Sequence, residues 1–192
     1  MSFLTIGGIA DPLRARRAFL GRSGLMLSGA GVALLAGNHA VAAKSSGSAD
    51  SDTRILNTAL AAELEAVAAY QVGAESGLLQ KAVLDLAVTF QGHHKEHAEV
   101  LARTIEKLGG KPVSAKAKYQ FPVDKLKTQA DVLRFAATLE KGAVSAYLGA
   151  VPVFDNRDLA RAAASILGDE AMHWAILRNA VGETPVPSAF VA

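Results

Sequence analysis

Residues 56–70 read LNTALAAELEAVAAY, and residues 133–147 read LRFAATLEKGAVSAY. In each segment the core-facing positions recur at alternating steps of three and four, the spacing of one helix face. The first stripe is Leu56, Leu60, Glu63, Val67 and Tyr70; the second is Leu133, Ala137, Glu140, Val144 and Tyr147. Each puts a glutamate at a core position, seven residues ahead of a tyrosine. A second pair of stripes follows: Val83, Ala87, Phe90, His94, His97, Leu101, and then Leu159, Ala163, Ile166, Glu170, His173, Leu177. His97 lies 34 residues after Glu63, and His173 lies 33 after Glu140. The chain therefore reads as two matching halves, the mark of an internal duplication.

Working outward, the first helix is expected from about Asp52 to Ala74. The second starts beyond Glu75-Ser76-Gly77 and ends near Leu108, where Gly109, Gly110 and Pro112 stop it. Residues 111–127 carry two prolines and scattered lysines without a sustained period, which is long for a link between bundle helices and reads as a solvated crossover. Thr128 and Asp131 have the spacing of an acidic capping box, Pro152 ends or bends the third helix, and Asp155 or Asn156 can cap the fourth. That last helix runs to Gly182, and residues 183–192, with two prolines, read as an irregular tail. These elements predict an all-α, antiparallel four-helix bundle over residues 54–182, with one long crossover between helices 2 and 3.

The composition agrees. Of 192 residues, 51% are hydrophobic, 20% charged and 6% aromatic, values that suit one helical core. No cysteine is present, which excludes disulfides, thiolate metal sites and a cysteine nucleophile. The formal charge is +2, but residues 1–42 hold four Arg against one Asp, so the remainder stands at −1. Such a balance offers no basic face for nucleic acid.

Arg14, Arg16 and Arg17 precede Phe19-Leu20, a modestly apolar run follows from about Ser23 to Ala36, and Ala40-Val41-Ala42 forms a small-residue cleavage pattern. These are the three parts of a secretory signal. The apolar run is too short to span roughly 30 Å of hydrocarbon, so stable membrane insertion of the mature protein is not expected. Residues 43–53, rich in Ser, Gly and Asp, read as a flexible linker. Arg16-Arg17 followed by Ala18-Phe19-Leu20 resembles a twin-arginine (Tat) signal. That resemblance implies the Tat export machinery as a partner and a periplasmic or otherwise exported destination, with any metal loaded before export.

The polar interruptions carry the chemistry. A buried carboxylate without a partner costs several kcal/mol, so a seam with three glutamates and three histidines needs compensation, which a bound cation supplies. Glu170 and His173, three apart on a helix, can aim an oxygen and an imidazole at one point. On these residues, over about Asp52–Gly182, the chain resembles exported bacterial ferritin-like proteins akin to the desiccation-related group. In carboxylate di-metal bundles of this type, one glutamate from each of two helices joins a Glu-x-x-His motif from each of the others. The resemblance assigns Glu63 and Glu140 to the single glutamates, Glu170 with His173 to one motif, and His97 to the histidine of the other, where His94 replaces the glutamate. It implies one or two non-haem iron or manganese ions on Glu63, His94, His97, Glu140, Glu170 and His173. Ferroxidase or peroxide-related stress protection is the accessible chemistry.

Other readings stay open. The bundle can be a metal-free structural or interaction module at the envelope, its glutamates and histidines paired around water. Residues 93–97, His-His-Lys-Glu-His, can form a surface patch or a general-base cluster, although no motif couples a nucleophile to them. His93 and Glu96 are spare ligand candidates should the register differ by one. Tyr70 and Tyr147 read as core aromatics with tethered hydroxyls, and Trp174 as packing. Catalytic residues, zinc as the ion and homo-oligomer formation are left open by the sequence.

Overall fold

A computed structural model of the chain describes residues 48–191, with side chains from 50 onward. Four helices account for the architecture: α1 (Ser48–Glu75), α2 (Lys81–Lys107), α3 (Gln129–Ala150) and α4 (Arg157–Ala180). There is no strand among the described residues. The expected signal segment 1–42 and residues 43–47 of the expected linker lie outside the described residues.

Topology follows from which helix ends meet. The short link 76–80 turns α2 back along α1, and Val151–Val153, a single 3-10 turn containing Pro152, turns α4 back along α3. The backbone amide of Gln80 donates to Gln129 Oε1 at 2.8 Å, so α2 and α3 begin at the same end and run parallel. Parallel neighbours need a connection that travels the length of the bundle. Residues 108–128 provide it, with one 3-10 turn at Val123–Lys125. Gly109, at φ +79°, terminates α2, and Gly110 then passes so close to α1 that an added Cβ would lie 2.5 Å from Thr53 Cγ2. Asn57 pins the departing strand of chain by donating to Lys111 O at 3.1 Å and accepting from Val113 N at 2.8 Å.

The caps expected from the sequence are present. Thr128 accepts from Asp131 N while Asp131 accepts from Thr128 N, and Asn156, rather than Asp155, caps α4 by accepting from Asp158 N at 2.8 Å. The start of α1 differs from expectation: the helix expected from about Asp52 begins at Ser48, so residues 48–53 of the expected linker are helical. The reason is tertiary. Asp52 is buried, and its two carboxylate oxygens accept from the amides of Asp155 and Asn156, each at 2.9 Å, just ahead of α4. A carboxylate near a helix start is favoured by the macrodipole, and this contact holds two helix N-termini together.

Two apolar clusters fill the interior. Leu56, Leu60, Leu101, Ile105, Phe154 and Ala163 belong to the larger, and Tyr70, Phe90, Leu133 and Leu177 form the smaller. Between them lies the polar layer described below. No helix among the described residues is long and apolar enough to cross a membrane. Replacing Asp52 with Ala leaves two amides without their acceptor and should cost about 1–3 kcal/mol. Urea unfolding should show a lower midpoint at unchanged slope; an unaltered midpoint would mean that water replaces the carboxylate without loss.

Candidate metal centre

Helix spacing delivers the site. On α1 Glu63 sits one turn beyond Leu60, and on α3 Glu140 lies between Leu133 and Val144; both carboxylates are buried in the seam. Tyr147 Oη donates to Glu63 Oε1 at 2.6 Å, and Tyr70 Oη donates to Glu140 Oε1. This reciprocal exchange makes α1 and α3 antiparallel and gives the two halves a pseudo-twofold relation. Burial first, and then the facing glutamate, push both phenols well above their ordinary pKa, so they stay protonated donors.

His94 of α2 enters the centre of this arrangement. Its Nδ1 lies 2.8 Å from Glu63 Oε2 and 3.5 Å from Glu170 Oε1, and its Nε2 lies 3.3 Å from Glu140 Oε1. His97 Nδ1 lies 3.1 Å from Glu170 Oε1 and 3.7 Å from Glu63 Oε2. His173 Nδ1 lies 3.6 Å from both Glu140 Oε1 and Glu170 Oε2. All six residues singled out from the sequence are thus brought together. Of the spare candidates, Glu96 is exposed and turns away, whereas His93 is half-buried beside His173.

Two overlapping donor sets result. Ligand atoms of Glu63, His94, His97 and Glu170 lie within 4.8 Å of one another, as do those of His94, Glu140, Glu170 and His173. Within them, both oxygens of Glu170, Glu140 Oε2, His97 Nδ1 and His173 Nδ1 are buried without a hydrogen-bond partner. Unpartnered buried donors and acceptors are rare and costly in folded proteins, and here five of them converge on one layer. Carboxylate oxygens and imidazole nitrogens suit first-row divalent ions, so the residues present fit the metal that such a bundle holds.

A sequence profile of the ferritin-like domain matches residues 51–183. The chain belongs to the ferritin-like domain family. A crystal structure of a conserved hypothetical protein, rv2844, from Mycobacterium tuberculosis shares the fold with a TM-score of 0.65 and 23% identity, covering 75% of this chain and 99% of that one. None of the curated proteins is similar to this chain.

Sequence reading missed three polar residues of this ferritin-like domain. Asp169 precedes Glu170 and reaches the outer nitrogens of His97 and His173 at 3.5 and 3.3 Å; its position four residues before His173 was the available signal. Gln91 is buried, donating to Val67 O at 3.0 Å and Gln71 Oε1 at 2.8 Å. Asp52, at the bundle end, falls where the expected linker meets the expected first helix, and nothing in the sequence marks its carboxylate as a cap for a distant turn. Trp174 is buried beneath Lys141 and Arg178, whose cationic groups lie 5.8 and 5.5 Å from its ring, so it packs rather than joining the centre.

Without a cation, the imidazoles take up the compensating charge. Burial is the largest influence and disfavours imidazolium, but the close polar contacts and negative charge of the facing glutamates outweigh it. His94 rises from 6.5 to about 11, and His97 and His173 to about 9. For Glu140 burial pushes upward, yet the facing imidazoles of His173 and His94 outweigh it and hold it far below the usual carboxylate range. A histidine raised in the folded state contributes its stability in full below the unfolded value and loses it as pH climbs through the folded one. Chelator-treated protein should therefore lose melting temperature between about pH 6.5 and 9 as His97 and His173 deprotonate, with His94 adding to the loss towards 11. A flat melting profile across that window would contradict the charge assignment.

Proposed function

We propose that this chain is an exported ferritin-like protein that binds non-haem iron or manganese in the bundle core, with an oxidative-stress role. The observation that carries the reading is the inward convergence of Glu170 Oε1 and Oε2, Glu140 Oε2, His97 Nδ1 and His173 Nδ1, all buried, facing one another and without a hydrogen-bond partner. Glu63, His97 and Glu170 would hold one ion and Glu140, His173 and Glu170 another, with a nitrogen of His94 turned towards each group. Such ions supply one-electron chemistry towards dioxygen or peroxide. Around them the protein's own residues act by position. Tyr70 and Tyr147 fix one oxygen of Glu140 and of Glu63; the second oxygen of Glu140 has no hydrogen-bond partner, and that of Glu63 faces His94 and His97. The two apolar clusters on either side exclude water and strengthen every charge interaction between them.

Export through the Tat route is part of the proposal and rests on Arg16-Arg17, the apolar run and Ala40-Val41-Ala42. Loading in the cytoplasm before export follows from it. A second reading is favoured by one observation. His94 links Glu63 and Glu140 through its two nitrogens, so a protonated ring satisfies both carboxylates without any ion. In that case the protein is a metal-free structural bundle at the envelope.

Metal analysis by mass spectrometry on the mature chain, purified from the exported fraction without chelators, separates the two. The metal reading expects about one to two iron or manganese ions per chain, and none in Glu170→Ala combined with His173→Ala. Saturating metal at about 100 times its Kd should stabilise the native chain by about 2.7 kcal/mol, visible as a higher melting temperature that a chelator reverses. Metal content that is undiminished in the double variant, or a melting temperature indifferent to metal, would remove the proposal.

A further inference from the structure

Outside the centre a second group of donors converges between α2 and α4. Asp169 Oδ2 lies 3.1 Å from His93 Nδ1 and 3.3 Å from His173 Nε2, and those two nitrogens are 2.8 Å apart. The three ligand atoms thus form a compact triangle. Metal bonds of about 2.0–2.2 Å place neighbouring tetrahedral ligands about 3.3–3.6 Å apart, so small side-chain adjustments suffice to bind a small divalent ion. The triangle stands at the mouth: the His93 side chain is 41% exposed and Asp169 23%, while His173 is 2% exposed. None of the contacts of His93 reaches Glu63, Glu140 or Glu170; it meets Asp169, His173 and the Phe90 ring.

His173 belongs to both groups, with one nitrogen on each side. Its Nδ1 faces Glu140 and Glu170, and its Nε2 faces His93 and Asp169. Phe90 stacks on the ring with centroids 4.0 Å apart, which keeps it in this two-faced orientation. We propose that His93, Asp169 and His173 form an outer capture site for a divalent first-row transition ion, which is then handed inward at His173. The proposal rests on the reading of the inner cluster as a metal centre.

A neutral imidazole has one lone pair and one proton. Where the metal-free ring is protonated on both nitrogens, an ion taken at Nε2 displaces that proton through Asp169 to solvent and leaves the other on Nδ1, facing Glu140 and Glu170; an ion taken at Nδ1 leaves a proton on Nε2, facing Asp169. Inward movement of the ion is balanced by outward movement of a proton on the same ring, with the flanking carboxylates as relays. The half-buried carboxylate at the mouth raises the local cation concentration and so the capture rate. Two imidazoles and one carboxylate select nitrogen-seeking ions such as Fe(II), Co(II) and Zn(II) over Mg(II) and Ca(II).

Stopped-flow absorbance of Co(II) uptake by the metal-free mature chain tests this, with His93→Ala as the main variant because it removes an outer ligand at a half-exposed position. Uptake should be about tenfold slower in His93→Ala, with the same final number of Co(II) per chain. Asp169→Asn, which keeps an oxygen to accept from the histidines but removes the charge, should be slowed as well. Equal uptake rates in wild type and His93→Ala would overturn the capture site while leaving the inner centre intact, and would assign Asp169 to orienting His97 and His173 alone. Failure of the wild type itself to bind Co(II) would overturn both readings.

Discussion

The structure depends on placing three carboxylates and three imidazoles in one dry layer midway along the bundle. Leu60, Ala98, Tyr147 and Ile166 border it on one side and Tyr70, Phe90, Leu133 and Leu177 on the other, so water has little access to the buried carboxylates. Compensation has to come from within. The tyrosines provide part of it by crossing between halves, Tyr147 to Glu63 and Tyr70 to Glu140. That exchange ties α1 to α3, and the long crossover is what allows α2 and α4 to flank them with their histidines inward. Register, helix order and charge balance are thus aspects of one requirement.

The duplication makes the departure at His94 informative. On α4 the layer receives Asp169, Glu170 and His173; at the equivalent positions on α2 it receives His93, His94 and His97. Where α4 contributes a carboxylate neither of whose oxygens makes a hydrogen bond, α2 contributes a ring whose two nitrogens already meet Glu63 and Glu140. The centre is therefore asymmetric in charge: Glu170 brings a carboxylate to both donor groups, whereas His94 brings an imidazole that stands in for a cation when protonated. The same exchange of Asp for His at position 93 changes the outer rim, setting an imidazole opposite Asp169 and opening the donor triangle at the mouth.

At its ends the bundle is closed by ordinary capping physics put to tertiary use. Thr128 and Asp131 satisfy the first amides of α3 locally, and Asn156 does the same for α4. Asp52 acts across the fold, extending α1 back to Ser48 because its carboxylate finds amides 103 and 104 residues away. Asn57 and Gly110 fasten the crossover to α1, one through its side-chain amide and the other by having no side chain at all.

The sequence by itself determined the four helices, the crossover and the six residues of the polar layer. Helix periodicity is local, and a glutamate or histidine interrupting an apolar stripe is visible without knowing its neighbours. It also revealed the pairing of halves, because Glu63 and Tyr70 are echoed by Glu140 and Tyr147. Only the tertiary structure decided what Asp52, Gln91 and Asp169 do. Each is a polar residue in a polar-looking context, and its role comes from groups on another helix or a distant turn, as Gln91 shows by reaching Val67 O across α1. The tertiary structure alone also gave His173 its two faces, since the direction of a ring nitrogen is set by what packs on either side of it, and periodicity fixes only the face of the helix from which the ring departs.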